Sequence, residues 1–178
     1  MNFSLDERLV TDTFVIGDMA LSRLLLMNDA RWPWLILAPR REGVVELTDL
    51  DSVDRARLIE EAARAADFLK RHTNARKINL GALGNVVRQF HLHVVARTID
   101  DAAWPGPVWG LGAARRYAEA DALALIEAVK NGLELQGGSG AIERRRIAVD
   151  SQSEVIYEVA QKFGRAGGFE AGRHSKQT

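Results

Sequence analysis

Through the first hundred residues, short apolar runs alternate with turn signals, and one long stripe of helical period interrupts them. Thr13-Phe14-Val15-Ile16 is β-prone and ends at Gly17, which predicts a short strand. Leu21 to Met27 and Trp34 to Pro39 are apolar segments separated by Asn28-Asp29 and Pro33, so the spacing predicts a hairpin. The run Trp34-Leu35-Ile36-Leu37-Ala38-Pro39 is apolar throughout, the character of a strand buried on both faces. From about Asp51 to Arg71, Leu58, Ala62, Ala65, Phe68 and Leu69 recur at helical spacing, with Thr48 and Asp51 as alternative starts. Arg55, Arg57, Glu60, Glu61, Arg64 and Lys70 are assigned to the solvated face of that helix. His72 closes it, where a partly positive imidazole suits the C-terminus. Lys77 to Leu80 is a further strand, and Tyr117 to Leu133 a second helix with Ala120, Leu123, Leu125, Ile126, Val129 and Leu133 on its apolar stripe.

Between those last two elements lies Gln89-Phe90-His91-Leu92-His93-Val94-Val95-Ala96-Arg97. Strand alternation puts Phe90, Leu92, Val94 and Ala96 on one face and Gln89, His91, His93 and Val95 on the other. Two of the four histidines of the chain therefore share one face, and two imidazoles at i and i+2 point to a common ligand or to a pair of satisfied side chains. Gly81-Ala82-Leu83-Gly84-Asn85 precedes them, a glycine-rich connection able either to form an anion-binding nest or simply to turn the chain. Trp104-Pro105-Gly106-Pro107-Val108-Trp109-Gly110 follows, where prolines exclude regular helix or central strand. Its tryptophans serve either as core filler folded over the sheet or as a stacking surface for a base or a partner subunit.

Composition narrows the chemistry. At 178 residues and 47% hydrophobic residues, the chain can bury one sizeable core with an appendage. Twenty-four basic and 24 acidic side chains cancel, so no bulk field favours nucleic acid or an anionic membrane. The absence of cysteine excludes disulfides, thiolate metal sites and a cysteine nucleophile. The acidic start and the lack of an apolar run near the ~20 residues of a membrane span lead to the expectation of an unprocessed soluble protein of the cytoplasm. Gln136-Gly137-Gly138-Ser139-Gly140 reads as a linker. Beyond it come Arg144-Arg145-Arg146, a short amphipathic helix at Ser153 to Phe163, and a frayed tail from about Gly167 that contains an inert His174.

Gln89-Phe90-His91-Leu92-His93-Val94-Val95 resembles the signature of the histidine triad family, in which three histidines alternate with apolar residues. Asn79, Gly84-Asn85, the Asn28-Asp29 turn, the strand ending in Pro39-Arg40 and the later tryptophan-proline pair extend the resemblance over roughly residues 10 to 110. It implies an α+β fold: an antiparallel sheet of about five strands with a central helix and a C-terminal helix, in a domain of residues 1–135; the linker and extension at 136–178 have no counterpart in the family. It also implies a homodimer that acts on nucleotides at the α-phosphate without metal or other cofactor. His91 then holds the place of the nucleophile and His93 that of the last histidine, a donor to phosphoryl oxygen. Asn85 corresponds to a phosphate contact, with Gly84 in the same turn. Asn28 or Asp29 corresponds to the ribose ligand, and Asn79 to a polar position that contacts phosphate or orients a histidine.

Gln89 stands where the first histidine of the triad belongs, and an amide cannot shuttle a proton at neutral pH. Val86 also replaces a hydroxyl residue found in some members, so both departures fall on the leaving-group side. Three readings follow. The first is a hydrolase or nucleotidyl transferase working through a nucleotidyl-His91 adduct on nucleoside phosphoramidates, adenylylated compounds or dinucleoside polyphosphates. The second is a catalytically weak nucleotide-binding or regulatory protein on the same scaffold. The third is a metal site built on His91 and His93, for which Asp100 and Asp101 are the nearest acidic residues in sequence.

Overall fold

The computed structural model describes residues 3–135. In chain order they form α1 (Glu7–Asp12), β1 (Thr13–Asp18), β2 (Ser22–Met27), β3 (Trp34–Pro39), α2 (Ser52–Thr73), β4 (Lys77–Gly81), β5 (Leu92–Arg97) and α3 (Glu119–Gly132). The strands make one five-stranded sheet in the order β1-β2-β3-β5-β4, with every neighbouring pair antiparallel. This is the expected α+β architecture, with α2 as its central helix. The expected linker, the Arg144-Arg145-Arg146 run, the helix at Ser153 to Phe163 and the tail lie outside the described residues. Among the described residues no helix is long and apolar enough to cross a membrane.

β3 occupies the middle of the sheet because all six of its residues are apolar and can be buried on both faces. On one face Leu35, Leu37, Val94 and Ala96 join Leu24 and Leu26 under α2 and α3, whose Leu58, Ala62, Ala65, Leu69, Ala122, Ile126 and Val129 complete the main core. On the other face Leu25, Trp34, Ile36 and Val95 form a second cluster with Leu9 of α1, Trp32 and Val108. The alternation read along β5 therefore separates two buried layers rather than a core from solvent. His93 belongs to the second of them, opposite Ile36 on β3 and Gly81 on β4.

α2 starts where Asp51 accepts a hydrogen bond from the amide of Asp54, and ends at Asn74 in the left-handed region, with Lys70, Arg71 and His72 in its last turn. Glu61 departs from the solvated face assigned to it. Its buried carboxylate accepts the amides of Leu21 at 2.6 Å and Ser22 at 3.0 Å, which pins α2 to the β1–β2 turn. Two turn amides that would otherwise lose water give that carboxylate its partners.

Two further differences bear on the site. Glu7–Asp12, without an evident pattern in the sequence, forms α1 because Asp6 caps the helix through the amide of Arg8; six residues are too few for a legible stripe, and Leu9 alone is buried. β5 begins at Leu92 rather than Gln89. Its pairing with β3 ends at Leu37 opposite Leu92, and the Phe90 amide turns away to the carbonyl of Val44 at 3.0 Å.

Candidate active site

His91 lies one residue before β5 and His93 one residue inside it, so one imidazole is carried by the sheet and the other by the segment entering it. Both are buried, with ring centroids 4.8 Å apart and planes at 78°. Nδ1 of His91 is 2.7 Å from the carbonyl oxygen of Gln89. A carbonyl can only accept, so this contact assigns a proton to Nδ1, and in the neutral ring the lone pair is then on Nε2. A neutral imidazole held in that form is a nitrogen nucleophile.

His93 is surrounded by indoles. Trp34 Nε1 donates to its Nδ1 at 2.9 Å, and the rings of Trp34 and Trp109 stand edge-on at 5.3 and 5.8 Å. Burial, and next to it the neighbouring His91, push the pKa of His93 down to about 3, so the ring is neutral at physiological pH. Trp109 reaches this position across Gly81, where an added Cβ would lie 2.9 Å from its ring; glycine there leaves the space the indole fills.

The loop carrying Trp109 is fastened by a buried ion pair. Arg97, 1% exposed, donates to Asp101 at 2.7 and 2.9 Å, to Asn79 Oδ1 at 2.7 Å and to the carbonyl of Gly106 at 2.9 Å. Burial works against ionisation of Asp101, but hydrogen bonds from Arg97 and the Ala103 amide outweigh it and lower its pKa to about 2. Val108 and Trp109 are thus packed on the histidine face, as the core-filling reading of the tryptophan segment expected.

The other expected site residues are placed less directly. Gln89 sits outside the sheet, its Oε1 accepting from the Asp6 amide at 2.8 Å and its Nε2 donating to the Ser4 carbonyl at 2.9 Å. Asn79 shares the histidine face, on the strand beside β5 and opposite Val95, with its side-chain oxygen on Arg97. Asn28 accepts the Tyr117 amide at 3.0 Å. The buried Asp29 accepts from the Arg31 guanidinium, at 2.6 Å for the shortest contact, and from the Arg115 amide at 3.2 Å. Asn28 and Asp29 therefore tie the β2–β3 turn to the segment before α3. Gly84, at φ +69°, turns the loop that leads to His91, and Asn85 is exposed in it.

The structure brings His91 and His93 together and adds Trp34 and Arg97, which sequence reasoning did not assign to the site, beside Trp109, read there as core filler or a stacking surface, and Asp101, named there only for the metal reading. Trp34 was visible only as the first residue of an apolar run; its meeting with His93 depends on the β3–β5 register. Among the described residues no three His, Cys, Asp or Glu side chains converge in a metal-binding group, and the carboxylate of Asp101 is engaged by Arg97.

The sequence matches the family model described as HIT domain over residues 8–99. A histidine triad protein from Sinorhizobium meliloti 1021 is 47% identical, with a TM-score of 0.72 over 73% of this chain and 96% of that one. One from Bradyrhizobium japonicum is 44% identical, with a TM-score of 0.72 over 74% and 98% of the two chains. A third, from Marinobacter aquaeolei VT8, is 39% identical, with a TM-score of 0.72 over 74% and 96%. No curated protein matches. By the histidine strand, the sheet that carries it and these similarities, the chain belongs to the histidine triad family.

Proposed function

We propose that this chain is a nucleotide hydrolase or nucleotidyl transferase that works through a covalent nucleotidyl-His91 intermediate. Its substrates are nucleoside phosphoramidates, adenylylated compounds or dinucleoside polyphosphates. The observation that carries the reading is the 2.7 Å contact from His91 Nδ1 to the Gln89 carbonyl, which in the neutral ring puts the lone pair on Nε2 and lets the main chain orient it. In the first step Nε2 attacks the α-phosphorus, a P–N bond forms, and the bond to the leaving group breaks with its electron pair. His93 donates to a phosphoryl oxygen, where negative charge accumulates. In the second step water attacks the same phosphorus, the P–N electrons return to Nε2, and a proton is released to solvent. An alcohol or phosphate acceptor in place of water gives transfer.

The amide of Gln89 supplies no proton to the leaving group, which restricts fast turnover to groups that leave readily as anions or collect their proton from solvent. The same reading makes the chain a homodimer of the cytoplasm; the open edge of the sheet at β4, where Leu80 is half exposed, supports self-association.

The test is intact-mass spectrometry after brief, rapidly quenched exposure to an adenosine phosphoramidate in chelator, with product followed in parallel. Wild type is expected to gain one nucleotidyl mass and release product, and His91→Ala to do neither. A second reading, a nucleotide-binding regulator, is favoured by the engagement of Gln89 with Ser4 and Asp6. Tight nucleotide binding in calorimetry, with no adduct and no product from wild type, would establish it instead.

A further inference from the structure

The carbonyl of Gln89 sets the tautomer of one histidine, and an indole sets that of the other. We propose that Trp34 is a positioning residue that holds His93 as the Nε2–H tautomer, so that the proton on Nε2 is in place before substrate binds. The assignment rests on the proposed function for its catalytic meaning, but its structural content stands alone.

An indole N–H can donate and cannot accept, whereas a neutral imidazole carries one donor and one acceptor nitrogen. At 2.9 Å from Trp34 Nε1, Nδ1 of His93 has to be the acceptor, and the ring proton has to sit on Nε2. Both partners are buried, Trp34 at 6% and His93 at 5% exposure, so water does not compete for Nδ1. The register fixes the pair: His93 is opposite Ile36 on β3, two residues along from Trp34 on the same face. Trp32 and Trp109 stand edge-on to the Trp34 ring at 6.4 and 6.0 Å, which limits its rotation. His91 and His93 are thereby held in opposite forms, a lone pair on Nε2 of the first and a proton on Nε2 of the second. Attack on phosphorus and stabilisation of its oxygens need that division, and in this arrangement neither ring has to exchange a proton to reach it.

The experiment uses the full chain labelled with ¹⁵N on histidine and tryptophan. In wild type, imidazole shifts are expected to report Nε2–H for His93, with a coupling through the hydrogen bond between Trp34 Nε1 and His93 Nδ1. Trp34→Phe keeps an aromatic ring and removes the donor; the His93 tautomers should then mix, and kcat should fall about tenfold, the worth of one hydrogen bond, while KM stays within about twofold. Trp109→Phe also trims an indole to a phenyl ring beside His93, but removes no bond to it, and should leave the tautomer as in wild type. A wild-type His93 protonated on Nδ1, or a tautomer unchanged in Trp34→Phe, would overturn the assignment. The wild-type coupling decides the matter even if the variant does not fold. Should wild type form neither adduct nor product, the proposed function fails, while shifts and coupling still decide the role of Trp34.

Discussion

The amide of Gln89 neither takes nor releases a proton near neutral pH, and its polar atoms are bonded to Ser4 and Asp6 rather than to His91. What residue 89 offers His91 is its backbone carbonyl, which any residue at that position would also present. The side chain instead fastens the segment before α1 to the segment entering β5, across more than eighty residues of sequence. Gln89→Ala removes both of those hydrogen bonds and is expected to lower stability by ~1–2 kcal/mol, read as a lower urea midpoint at unchanged slope. An unchanged midpoint would mean that residues 4–6 are held by other contacts.

Among the elements, β5 and the loop after it decide how the histidine face is closed. β5 supplies His93 and Arg97 on one face, and Arg97 draws the loop back through Asp101 and Gly106 until Trp109 lies against His93. The pair is buried on both sides, so losing one partner leaves an uncompensated charge in a dry place. Asp101→Asn is expected to destabilise the fold by ~3–5 kcal/mol, whereas Arg97→Met combined with Asp101→Leu should cost clearly less than the single change. Chemical denaturation of both variants checks this, and equal losses would show that the charge itself is not what matters. The short α1 and the capped α2 act similarly at the ends of the sheet: Gln89 meets the cap region of the first, and Glu61 of the second holds the β1–β2 turn.

At the scale of the whole molecule, burying a histidine face between two layers has a consequence for stability against pH. His93 titrates near 6.5 when unperturbed and at about 3 in the fold, so between those values the unfolded chain binds a proton that the native chain refuses. Stability therefore falls as pH drops from about 6.5 towards 3. Asp101 adds a second window, since its stabilisation is complete above its ordinary value of 3.8 and is lost as pH falls towards about 2. Thermal melts from pH 7 to 4 are expected to show a Tm that declines on acidification, and His93→Gln should flatten that slope even though it removes ring packing. A parallel decline in the variant would assign the acid sensitivity to other groups.

Local pattern determined a good deal of this protein. The hairpin of β2 and β3, the long helix, the strand at Lys77, the last helix and the division of β5 into two faces follow from side-chain period and turn chemistry, which are properties of neighbouring residues. The alternation around His91 and His93 likewise put two imidazoles on one side before any contact was known. Tertiary structure decided what His93 bonds to, whereas the partner of His91 is a carbonyl two residues away. Trp34 meets His93 through the pairing of strands more than fifty residues apart, and Gln89 faces Ser4 and Asp6 because the chain joins the sheet only at Leu92. Glu61 looked like part of a charged helix face until two turn amides needed an acceptor. Periodicity says which side of an element a residue occupies; it carries no information about register between distant strands or about which buried polar group will satisfy another, and in this protein those two choices set the partners of His93 and Glu61.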